Sequence, residues 1–110
     1  MKTKKNCKRG IKVFPDFCSS GIWGHPDGGM IDFEELSISK GLQKEFEDWI
    51  NFYDDECTGR PNYCLLKKKE KVLNKRGLEL ARKLKQELPN KTVYYWPELS
   101  GKMGKLIEVK

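Results

Sequence analysis

The residues closest in the chain that nucleophilic catalysis could use as thiol and base are Cys18, one of four cysteines, and the sole histidine, His25, seven residues further on. A cysteine nucleophile needs a base within hydrogen-bond reach, a group that orients the base, and donors for the developing oxyanion. His25 instead opens the stretch His25-Pro26-Asp27-Gly28, the composition of a tight turn, where a solvent-facing imidazole is the ordinary outcome. No enzymatic activity is expected from it. Structural zinc takes closely spaced ligand pairs, whereas Cys7 and Cys18 have ten residues between them and Cys57 and Cys64 have six. Asp27, Asp32, Glu34 and Glu35 lack the every-second-residue order of a calcium loop and read as surface acids. The glycines Gly21, Gly24, Gly28 and Gly29 fit neither phosphate-binding spacing, and Asp27 and Asp32 would repel an anion. The expectation is a protein without metal or cofactor.

Charge is more informative than reactivity. The net charge of +6 conceals a segregation: residues 1–15 carry six basic and no acidic side chains, 16–58 two basic and eleven acidic, and 59–110 fourteen basic and five acidic. Such a chain either folds acidic against basic segments or turns oppositely charged faces to different partners. Two candidate surfaces follow. Glu45, Asp48 and Phe52 recur at i, i+3 and i+7 on one helix flank, with Asp55 and Glu56 beyond, so they form an acidic ridge carrying one aromatic anchor for a basic protein partner. Lys67, Lys68, Lys69, Lys71, Lys75 and Arg76 form a basic run able to neutralise phosphates, with Tyr94 or Trp96 as stacking surfaces if exposed. An ordinary solvated helix face explains the lysines equally well, and cover for a sheet edge explains Phe52.

The elements that must position these residues follow from periodicity. Leu42, Phe46, Trp49, Ile50 and Tyr53 fall at i, i+4, i+7, i+8 and i+11, one helical face over 39–53, with Ser39 as N-cap. A second helix is clearest over 70–88, where Leu73, Gly77, Leu80, Ala81, Leu84 and Leu88 share a stripe and Pro89 stops it. Gly77 and Ala81 leave a notch on that stripe, which is expected to receive Trp49 or Phe46. Residues 57–66, with Gly59 and Pro61, read as a connector, and 18–37 as a long loop pinned to the core by its aromatics, with a short irregular hairpin as a variant. Strands are expected at 10–17, 92–96 and 105–109. The order β, loop, α, α, β, β predicts an α+β domain of two layers, both helices on one face of a small, mostly antiparallel sheet. Residues 1–9, five of them Lys or Arg, read as a disordered basic tail before a single domain at 10–110.

The pattern of PDF, then IW, then DGGMID, then ISKGLQKEFEDWINFYDDE, then NKRGLELARKLKQELP and VYYWPE resembles small, uncharacterised bacterial proteins that share an IW-loop-GG-ID segment, a helix with W and YD, a helix containing RGLELA and a closing strand ending in WPE. The likeness spans 11–98 and implies a bacterial setting; it brings no reaction, cofactor or site with it.

No apolar segment of signal-peptide length follows the basic N-terminus, so a cytoplasmic protein with reduced thiols and no membrane contact is expected; if oxidised, the four cysteines permit three pairings. These features together predict a small non-enzymatic binding module that acts through protein contacts. Its concrete form is an immunity- or inhibitor-type protein whose acidic surface over 32–56 covers a basic partner. The alternative is a nucleic-acid-binding accessory protein that uses the 67–76 run.

Overall fold

A computed structural model describes residues 10–16, 19–25, 28–57, 63–99 and 102–110; at 56–57, 63–67, 98–99 and 102–103 it describes the backbone alone. The basic tail expected at 1–9 lies outside these residues, as do the side chains of all four cysteines.

The first strand, β1 (Ile11–Val13), buries both of its β-branched ends and leaves Lys12 on the other side, the alternation that a sheet with one covered face requires. It turns back into β2 (Ile22–Gly24) in antiparallel register, Ile11 opposite Gly24 and Val13 opposite Ile22. Gly21 makes this return possible. Its φ of +84° suits glycine, and a Cβ there would press to 3.1 Å from the Trp49 ring. Within 18–37 the short irregular hairpin is the form present: Ile22 is fully buried in a strand too short to show a period, and Trp23 is bridged antiparallel to Met30 as the chain returns. Ser20, also buried, ties the returning chain down by donating to the Ile31 carbonyl at 2.6 Å.

A single 3-10 turn (Phe33–Glu35) leads to helix α1 (Lys40–Phe52). Ser39 caps it as its sequence position predicts, accepting from the Leu42 amide at 3.1 Å. Leu42, Phe46, Trp49 and Ile50 are buried, and the helix then widens into a π turn (Tyr53–Cys57). Helix α2 (Tyr63–Glu87) begins seven residues before the expected start, which corrects the connector at 57–66. Gly59 and Pro61 lie upstream of it, and Leu65, Leu66 and the lysines after them are good helix formers. Pro89 ends it, and the Lys85 ammonium donates to the Pro89 and Lys91 carbonyls at the C-terminus.

β3 (Val93–Tyr95) and β6 (Ile107–Val109) fall inside the segments expected for them, while β4 (Glu98–Leu99) and β5 (Lys102–Met103) add a small separate hairpin. The main sheet has the order β2-β1-β3-β6; its outer pairings are antiparallel and the central β1–β3 pairing is parallel. Both helices cover one face, giving the expected two-layer α+β domain. Across the interface Trp49 enters the notch at Gly77, where a Cβ would lie 2.5 Å from both the Trp49 and Tyr95 rings. The Trp49 indole donates to the Leu73 carbonyl at 2.9 Å, and the Tyr95 hydroxyl donates to Asn74 at 2.7 Å, so neither polar atom is stranded by burial. Among the described residues no helix is long and apolar enough to cross a membrane.

Candidate partner-binding surface

The two helices run antiparallel, and three contacts trace their seam. The Glu87 carboxylate accepts from the Ser39 amide at 2.6 Å and hydroxyl at 2.7 Å; the Lys83 ammonium donates to Glu45 at 2.6 Å; and the Arg76 guanidinium lies 5.2 Å from the centre of the Phe52 ring. The expected acidic ridge is thereby divided. Glu45 and Phe52 lean into the seam, each engaged by a cation of α2. Asp48 stands at its border, 3.4 Å from Lys44 one turn earlier. With 51% of its side chain exposed, that pair is a weak one and leaves Asp48 open to competitors. Asp55 is exposed, and the side chain of Glu56 lies outside the described residues.

The fully outward stripe of α1 runs Lys44, Glu47, Asp48, Asn51, Asp55, all exposed. Glu47 belongs to it and is absent from the ridge drawn by sequence reasoning. The signal was present, since Glu47 lies three residues after Lys44 and four before Asn51, at helical spacing from both. Between the helices Glu45, Asp48, Glu79 and Arg76 ring a shallow depression floored by Leu80. The Lys83 ammonium is held above the ordinary lysine range by its hydrogen bond to Glu45; loss of hydration opposes this, and the charges of Glu45 and Glu79 add to it.

The basic run is also split. Lys68, Lys71 and Lys75 share an exposed stripe of α2 with Val72, whereas Lys69 and Arg76 are half-buried and Arg76 is committed to Phe52. The side chain of Lys67 lies outside the described residues. Tyr94 and Trp96 belong to the opposite layer of the molecule: their neighbours Val93 and Tyr95 are buried towards α2, so alternation turns them away from the lysines. Helix lysines and strand aromatics therefore do not form one surface.

Cys18 and Asp27 fall outside the described residues. His25, expected to face solvent, is half-buried with its ring centre 4.3 Å from that of Tyr94. Asp32 and Glu35 serve their own turn, the Glu35 carboxylate accepting from the Asp32 amide at 3.0 Å. Among the described residues no three His, Cys, Asp or Glu side chains gather into a metal site.

A comparison with curated proteins finds no match. The profile of the Serratia CdiI immunity protein-like family, in contrast, matches residues 9–98, a stretch that takes in β1, β2, both helices and β3. On that match the chain belongs to the Serratia CdiI immunity protein-like family.

Proposed function

We propose that this protein is an immunity protein of the inhibitor type, which neutralises a toxin by binding it and performs no chemistry of its own. The family membership carries this reading. The finer part concerns the surface: exposed Glu47 and Asp48 of α1, Asp55 of the π turn after it, and exposed Asp32, Glu34 and Glu35 ahead of it cover a basic face of the partner. Eleven acids against two bases over 16–58 support it, because a field of one sign steers encounter and selects the partner. The reading includes a bacterial cytoplasmic setting, in which Cys7, Cys18, Cys57 and Cys64 stay reduced.

The test uses the whole chain as bait in a lysate of the native host, at low and high salt. A captured protein is then produced alone in a sensitive host and together with the chain. Growth arrest by the captured protein, relieved by the chain, is the expected result. Replacing Glu47, Asp48 and Asp55 by lysine should slow association roughly tenfold or more at low salt, the range over which steering acts, with little change in helix content. No captured protein at either salt, or arrest that the chain does not relieve, would remove the inhibitor reading. Full relief by the lysine variant would remove the acidic stripe as its surface.

A further inference from the structure

The sheet face turned away from the helices carries aromatic rings among its polar side chains, where a water-facing sheet is usually polar throughout. Trp23, Lys12, Tyr94 and Glu108 stand side by side across its four strands. Phe14 and Trp96 lie on the same face. The Phe14 ring stacks on Trp23 at 4.7 Å and 12°, and Trp96 meets Phe14 edge-on at 5.4 Å. The Lys12 ammonium stands 5.0 Å from the centre of the Trp96 ring and 6.0 Å from that of Phe14. His25 extends the cluster onto Tyr94. Lys12, Phe14, Trp23, His25, Tyr94 and Trp96 are half-buried and Glu108 is exposed, so part of each remains in water.

The rings are also fixed. The Trp23 indole donates to the Phe14 carbonyl at 3.0 Å, and the Trp96 indole to the Gly104 carbonyl at 2.7 Å. With both indole protons committed, the tryptophans offer a ligand π surface held in place in advance. A rigid aromatic layer with a cation in its midst suits groups that are flat, apolar on their faces and linked by anions.

We propose that this face binds single-stranded nucleic acid, with bases against Phe14, Trp23, Tyr94 and Trp96 and phosphates drawn to Lys12. Charge complementarity favours that occupant. Lys12 is the cation at the centre of the row, and the acids of α1 are on the other layer. Glu108 is the one carboxylate of the cross-strand row, at its edge, with the Lys110 ammonium 3.8 Å away. The site is independent of the acidic stripe, and its occupancy does not depend on the immunity reading.

The whole chain is titrated with dye-labelled oligo(dT) and oligo(U) of about twelve nucleotides, long enough to cross one such sheet. Binding should quench tryptophan emission through Trp23 and Trp96, with fully buried Trp49 left as background, and should weaken as salt rises. Trp23→Leu and Trp96→Leu should each lower affinity roughly tenfold, in line with the loss of one stacked base. Lys12→Gln, which spares the ring packing, should lower affinity and flatten the salt dependence even if a tryptophan variant fails to fold. A Lys68→Gln, Lys71→Gln, Lys75→Gln triple variant should bind nearly as well as the native chain. The proposal is overturned by absence of quenching at low salt, by equal affinity for double-stranded DNA, or by loss of binding in the triple variant alone. Quenching by polyglutamate without any by oligonucleotide would equally overturn it and assign the face to an acidic protein.

Discussion

At the scale of single residues, Trp49 and Gly77 are one device. The indole occupies space that only a missing side chain leaves open, and its N–H is satisfied by the carbonyl four residues before that glycine. Trp49→Ala should therefore cost roughly 3–5 kcal/mol, measured by denaturant unfolding, because the cavity is walled by two helices and a strand that cannot collapse together. Glycine substitutions should split in sign. Gly77→Ala normally gains about 1 kcal/mol in a helix, but here it drives a methyl into Trp49 and Tyr95 and should destabilise; Gly41→Ala, with nothing within 4 Å of the new Cβ, should stabilise. The notch was legible in the sequence because small residues four apart on an apolar stripe have few other uses. Its second occupant, Tyr95, was not, since a residue in a strand 18 positions after Gly77 meets it only through the docking of α2 on the sheet.

At the scale of elements, α1 was readable almost to the residue from a long 3.6-residue period and a capping serine, whereas the π turn that follows it was not. α2 was readable only where its apolar stripe is strong. Its first turns carry lysines and no period, and Gly59 and Pro61 mask a start that lies just beyond them. Three-residue β2 and the two-residue pair β4–β5 are too short for any alternation to register. The ridge was half legible for a related reason. Periodicity places Glu45, Asp48 and Phe52 on one flank of α1, but which of them face water depends on Lys83 and Arg76 of the other helix. The Lys83–Glu45 pair gives a pH prediction. Lys83 binds its proton more tightly in the folded chain than in the unfolded one, so the pair contributes fully below the ordinary lysine pKa of about 10.4 and is lost as pH rises through the higher folded value. Lys83→Gln should remove this part of the alkaline fall in stability, seen as a shallower decline in melting temperature above that pH.

At the scale of the whole molecule, two layers of different chemistry share one core. The helix layer turns an acidic stripe outward; the sheet turns out a fixed aromatic layer around Lys12. The core itself is closed at one sheet edge by β6, whose Val109 is buried opposite Val93. Removing residues 105–110 should cost at least the roughly 1.5–3 kcal/mol of one buried valine and expose the edge of β3, which thermal unfolding together with light scattering would detect. The parallel β1–β3 pairing at the centre of the sheet has a temporal consequence. Val13 and its partner Tyr95 are 82 residues apart, with both helices between them, so during synthesis β1 waits until both helices and then β3 have been made. The helix pair can form earlier, but the layer it rests on cannot. For a protein whose proposed task is protection, the wait of β1 for β3 is part of the delay between the start of translation and the first protective copy. Slow codons placed between β1 and β3 should lengthen the wait of β1 for its partner wherever they stand, whereas the same codons ahead of β1 should not.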